Sequence, residues 1–260
     1  MTAALDAMLQ SAGDDAFGLF ISYRVWCDKD FAETLFRAAS KCQLRPGREH
    51  RMKVYLDKVR IVDGQRFDEN FIKGLANSTV FTPLLSAKCL QSFVELGQTD
   101  KEDFVLMEWM VAIELNKREI VKAIFPITIE KQKDSKKNGL YSETFFMELR
   151  DGKVNGQALP DVVSAKSVAK AREFLGMLDP PVELSEELTV KAVVAKILTF
   201  QAILLHFEND SLDSLETVKS ARVGGSHGKR AKEVAQKHVA QTCAERIAKV
   251  VLALQEDTEP

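Results

Sequence analysis

Phe17-Gly-Leu-Phe-Ile-Ser22, followed at once by Tyr23-Arg24, is the stretch on which the fold turns. A short run that is apolar up to its final serine has the length and composition of a strand buried on both faces. Three comparable runs lie further along: Lys53-Val-Tyr-Leu56, Ser78-Thr-Val-Phe-Thr-Pro-Leu-Leu85 and Ile120-Val-Lys-Ala-Ile-Phe-Pro-Ile127. Between them the periodicity changes to that of a helix. Asp30 to Lys41 sets Phe31, Leu35, Phe36 and Ala39 on one face, and Phe67 to Asn77 spaces Phe67, Phe71 and Leu75 by four. Residues 86–102 read as a loop with a short helix, and Asp103 to Asn116 as a full helix. Strand and helix thus alternate four times through short connections, which predicts an α/β fold with a parallel sheet flanked by helices. Sheets of this kind bind ligands in the crevice at the carboxyl ends of their strands, so the loops to watch begin at Tyr23, Asp57, Ser86 and Thr128.

Composition narrows the function classes. The 260 residues are 45% hydrophobic and 28% charged, ordinary for a globular chain able to bury a core. With 36 basic against 38 acidic residues the net charge is −2, so no global field steers the chain to nucleic acid, and none is expected as a partner. Met1 to Asp15 has no basic region and is interrupted by Asp6, unlike a secretory signal. The longest helical apolar stretch, Val190 to Phe207, carries Lys191, Lys196, Gln201 and His206, so no membrane span is expected. A cytoplasmic location with reduced cysteines at 27, 42, 89 and 243 is the resulting expectation. The four histidines make no metal-ligand spacing, and no metal is expected. Gly224 to Lys229 lacks the first glycine of a phosphate loop and has Arg230 where Ser or Thr would stand; it reads as a linker.

The C-terminal half is harder to read. Glu143 to Leu149 is a short helix, and Pro160, Pro180 and Pro181 punctuate the residues after it. Ser185 heads an amphipathic pattern that runs to about Phe207, and Lys229 to Leu254 forms a last helix. These helices pack on the first domain or on one another, or the last one joins a partner helix.

Four motifs in order carry a resemblance. Phe20-Ile-Ser-Tyr-Arg24 resembles the first sequence box of TIR domains. Val54-Tyr-Leu-Asp57 with Ile61-Val-Asp-Gly64 is similar to their second strand and BB loop, and Pro83-Leu-Leu-Ser86 to the end of their third strand. Asp103 and Phe104 to Leu115 resemble the segment that carries the catalytic glutamate in NAD-cleaving members. The resemblance implies a flavodoxin-like fold. It divides the chain into a TIR domain over 15–150, an N-terminal extension at 1–14, and a mostly helical C-terminal extension at 151–260 of unknown role.

The same resemblance implies two functions from different classes. One is an NAD glycohydrolase, with NAD as substrate and no cofactor, active on self-association in signalling. The other is a non-catalytic scaffold that assembles with other TIR domains. In the enzymatic relatives the glutamate sits one helical turn after an aromatic residue. Phe104 and Glu108 have that spacing, which puts both on one helix face. Tryptophan commonly fills the aromatic place, and Trp109 is offset by one. Glu108 is therefore the candidate catalytic residue. Arg24 is placed for phosphate or ribose contact, or else for an ion pair. Tyr23 and Trp26 stack on a base or cap the core, and Lys58 and Arg60 reach the pyrophosphate or an assembly interface. Ile61, Asp63 and Gly64 belong to the BB loop through which such domains associate. Glu114, about 600° further round the helix, faces elsewhere.

Overall fold

The computed structural model describes residues 16–44, 51–56, 67–96, 101–129, 143–200, 203–204 and 225–256. Along the chain they form β1 (Phe17–Ser22), α1 (Val25–Ala39), β2 (Val54–Tyr55), α2 (Phe67–Ala76), β3 (Ser78–Ser86), α3 (Ala87–Leu96) and α4 (Phe104–Lys117). Then come β4 (Ala123–Ile124), β5 (Ile127–Ile129), α5 (Glu143–Arg150), β6 (Lys153–Val154), β7 (Gln157–Ala158), α6 (Ala165–Gly176), α7 (Val190–Thr199), β8 (Ile203–Leu204) and α8 (Gly225–Glu256).

The main sheet has the order β2-β1-β3-β5-β8, with β4 also on β3, and each pairing in it is parallel. Counting β4 and β5 as one interrupted strand, this is the flavodoxin-like order 2-1-3-4-5. The expected parallel α/β architecture is therefore what the chain adopts. The fourth strand, expected as one run, is broken at Pro126. Phe81 pairs with Ile124 and Leu84 with Ile127, so a single register sets Pro126 opposite Pro83. Neither proline has an N–H to give the ladder, and the pairing lapses where they face each other.

Each face of the sheet has its own core. Leu19, Ile21 and Tyr23 of β1 and its end point to one side, where Phe31 and Leu35 of α1 meet Ala240, Cys243, Ala244, Ile247 and Val251 of α8. Phe20 points to the other, where Tyr55 stacks on it at 4.8 Å and α2, α3 and α4 pack. Outside α4 lie α6 and α7. That second layer explains why Val105 to Leu115 is buried on every side of α4, rather than along one stripe.

Several expectations are corrected. α1 begins at Val25, five residues earlier than its apolar pattern suggested, with Arg24 as its N-cap. The short helix expected within residues 86–102 is a regular one of ten residues, Ala87–Leu96. The helix expected from Ser185 to Phe207 is only α7, capped by Thr189, whose hydroxyl accepts the Ala192 N–H at 3.1 Å. Ile203 and Leu204, read as its end, instead pair with β5 as the fifth strand. The unread stretch after α5 holds a hairpin, β6–β7, turning at Asn155 (φ 50°) and Gly156 (φ 78°). Asn-Gly is the sequence signal for that two-residue turn, because both positions need positive φ.

Candidate functional site

All strands of the main sheet are parallel, so the carboxyl ends of β1 and β3 share one edge with the first turns of α1 and α3. Contacts from β1 bring the start of α4 to the same place. Ser22, the last residue of β1, donates its hydroxyl to Oε2 of Glu108 at 2.5 Å and accepts the indole N–H of Trp109 at 3.1 Å. The group is buried: Ser22 is 1% exposed, Trp109 0% and Glu108 9%. Phe93 of α3 closes edge-on over the Trp109 ring at 5.1 Å.

Two residues further on, Nη2 of Arg24 donates to Oδ2 of Asp103 at 2.7 Å, and its guanidinium lies 5.3 Å from the centre of the Phe93 ring. Asp103 also caps α4, its Oδ1 accepting the Leu106 N–H at 2.9 Å. One carboxylate thus starts the helix that carries Glu108 and neutralises the arginine at the end of β1. Burial, the largest influence, works against the guanidinium's charge; Asp103 and then Cys89 together outweigh it, and the Arg24 pKa lies above its ordinary value.

On the other side of Arg24, Asp28 sits in the first turn of α1 and is buried, and its Oδ2 has no hydrogen-bond partner. Burial pushes its carboxyl up. The neighbouring Cys27 thiol is pushed up to about 11 by burial and then by Asp28, and burial raises Cys89 as well. Both stay protonated near neutrality, which removes them as nucleophiles. Ser86 accepts the Cys89 N–H at 3.0 Å and so caps α3. Among the described residues no cluster of His, Cys, Asp and Glu is fit to hold a metal ion. A groove at the far end of α1, between Cys42, Leu44, Ala248 and Leu252, has Glu245 and Lys249 at its rim and no buried polar group.

Of the residues singled out from sequence, Glu108, Arg24 and Phe104 come together at the strand-end edge. Phe104 is 43% exposed and comes directly after the residue that binds Arg24. Trp26 is 62% exposed, with the Lys88 ammonium 5.9 Å from its ring. Tyr23 is buried in the core on the α1 side, so it has no open ring face for a base. Lys58, Arg60, Ile61, Asp63 and Gly64 lie outside the described residues. Glu114 faces away from this edge and is far from a solvated residue. It accepts from the Ser185 hydroxyl at 2.7 Å and from Nε of Arg118 at 3.1 Å. Three residues of the edge went unassigned in the sequence reading: Ser22, Trp109 and Asp103. The two-residue period puts Ser22 on the Phe20 face, but only the docking of α4 against β1 shows what that face meets.

A family profile described as TIR domain matches residues 19–161, more than half of the chain. The chain belongs to the TIR domain family. No curated protein matches it. The matched span contains Ser22, Arg24, Asp103, Glu108 and Trp109, hence the whole polar edge. It stops short of β8 and α8, yet those elements supply the last strand of the sheet and half of one face. The TIR sheet of this chain is completed by residues well beyond the match. No helix among the described residues is long and apolar enough to cross a membrane.

Proposed function

We propose that this TIR domain is an NAD glycohydrolase, releasing nicotinamide and ADP-ribose or a cyclic form, and that it acts in signalling when self-associated. The observation that carries the reading is the setting of Glu108: a buried carboxylate at the strand-end edge, held from Ser22 at 2.5 Å. In the reaction the bond between ribose C1′ and the pyridinium nitrogen breaks, and its electron pair stays on nicotinamide. The sugar gains oxocarbenium character, and water adds its oxygen to C1′ while releasing a proton. The leaving group departs neutral, so no acid is needed, and a single anion beside the ribose can stabilise the cation as in glycoside hydrolysis. Low local dielectric strengthens that effect. Phe104 and Trp26 are exposed aromatic residues near the edge, and Arg24 offers a cation already shared with Asp103.

That sharing is the observation on the side of the second reading, a scaffold that only assembles with other TIR domains. A guanidinium matched by Asp103 is as well suited to holding β1 on α4 as to meeting a phosphate. Incubating the full chain with NAD at rising protein concentration, with free nicotinamide as the readout, separates the two. The enzyme reading expects release that grows faster than in proportion to concentration; no release at high concentration leaves the scaffold.

A further inference from the structure

We infer that Ser22 is a positioning residue which, with Trp109, keeps Glu108 an anion and turns it to the crevice. The inference rests on the reading of Glu108 as the acting carboxylate and adds what sets its state.

The direction of the hydrogen bonds carries the argument. An indole nitrogen can only donate, so at 3.1 Å the Trp109 N–H must point at the Ser22 oxygen. The Ser22 hydroxyl proton is then committed elsewhere, and Oε2 of Glu108 at 2.5 Å receives it. Both protons run the same way, from α4 through the end of β1 and back to α4, and they end on the carboxylate. A proton placed on Oε2 would have to be accepted by the second lone pair of the Ser22 oxygen, and the Ser22 hydroxyl would then give up the one acceptor that it has among the described residues. A donor held on a carboxylate oxygen, itself fixed by a second donor behind it, favours the ionised acid. Burial of Ser22 and Trp109 excludes the water that would otherwise compete, and in a low dielectric each bond polarises the next. The relay also fixes rotation: with Oε2 tied to Ser22, the other oxygen points away from it. Ser22 closes β1, so its hydroxyl is placed by the sheet, not by a loop. A general acid would need the opposite wiring. The arrangement suits an anion that meets a developing cation.

The test uses the full chain, Ser22→Ala, Trp109→Phe and Glu108→Gln. For each, kcat and KM for NAD are measured against pH, and the indole N–H signals are followed by NMR. The sequence has two tryptophans, so the indole region holds one signal for each. Losing one charge-assisted bond in Ser22→Ala should lower kcat about 10- to 100-fold with little change in KM. It should also move the acid limb of the rate profile to higher pH. Trp109→Phe keeps the ring packed on Phe93, should shift both quantities less in the same direction, and serves if Ser22→Ala fails to fold. In the parent the Trp109 signal should move as acid titrates the relay, and in Glu108→Gln it should not. Parental kcat and an unmoved acid limb in the folded variants, or a Trp109 signal identical in parent and Glu108→Gln at every pH, would overturn the relay. A parent that titrates at the indole but never releases nicotinamide upholds the wiring and removes the glycohydrolase reading instead.

Discussion

Ser22 and Glu108 stand 86 positions apart in the chain and 2.5 Å apart in the fold. The contact is polar among apolar neighbours, and it therefore fixes how α4 sits along β1. Apolar side chains tolerate a small slide; a buried hydroxyl and carboxylate do not, since separating them leaves two unsatisfied groups away from water. Arg24 and Asp103 repeat the device nearer the surface at 2.7 Å.

Glu108→Gln retains size and helix propensity and removes the charge. Nicotinamide release should fall by about 10²–10³, the usual scale for losing a group that stabilises transition-state charge. Glu95→Gln, on the exposed side of α3, is the control and should keep the parental rate. Circular dichroism of both proteins checks that the fold is retained.

Glu114 should matter for stability rather than turnover. Burial pushes its carboxyl up, but the Ser185 hydroxyl and N–H, with Lys117 and Arg118, more than reverse this and hold it below its ordinary 4.5. A depressed carboxyl adds stability that is present above the unfolded value and lost as pH falls through the folded one. Glu114→Gln should lower unfolding free energy at neutral pH by about 1–3 kcal/mol. The gap to the parent should narrow on acidification below about pH 4.5. Urea denaturation across pH measures this; a gap that stays constant would show that the charge is irrelevant.

Gly74 in α2 lies against the ring of Tyr55, where an added Cβ would come within 2.3 Å of Cε2. Tyr55 in turn stacks on Phe20 and meets Phe17 edge-on at 5.4 Å, so its ring has little room to withdraw. Gly74→Ala, favourable in an open helix, should here lower stability by about 1–3 kcal/mol through overpacking. Thermal melting of the variant decides the sign.

A chain ending at Phe200 would lose β8 and α8 and uncover Phe31 and Leu35 of α1. Burial of Ile247 and Val251 at 0% exposure alone contributes roughly 3–6 kcal/mol. That is comparable with the whole margin of a domain, about 5–15 kcal/mol. The truncated protein should be unfolded or aggregated, as size-exclusion chromatography and circular dichroism would report. A soluble, cooperatively melting product would mean that the sheet closes without them.

Where the physics is local, the sequence alone determined the outcome. The apolar runs at 17–22, 53–56 and 78–85 named their strands, and the four-residue spacing of Phe67, Phe71 and Leu75 matches α2 (Phe67–Ala76). The box at Phe20-Ile-Ser-Tyr-Arg24 pointed to the family that the match over 19–161 establishes. It also brought Arg24, Phe104 and Glu108 forward as candidates. Tertiary structure decided what depends on partners distant in the chain. Ile203 and Leu204 are a strand because β5 offers an unpaired edge, and no local pattern encodes that offer. α4 is buried all round because α6 and α7 cover its outer side, so its own periodicity was silent. Glu114 became an anchor through Ser185, 71 positions away. The same distance hid Ser22 and Trp109: one closes a strand, the other lies inside a helix, and each reads as ordinary core. Only the docking of α4 on β1 turns them into a directed pair of donors, because a hydrogen bond has a geometry that neither residue possesses alone.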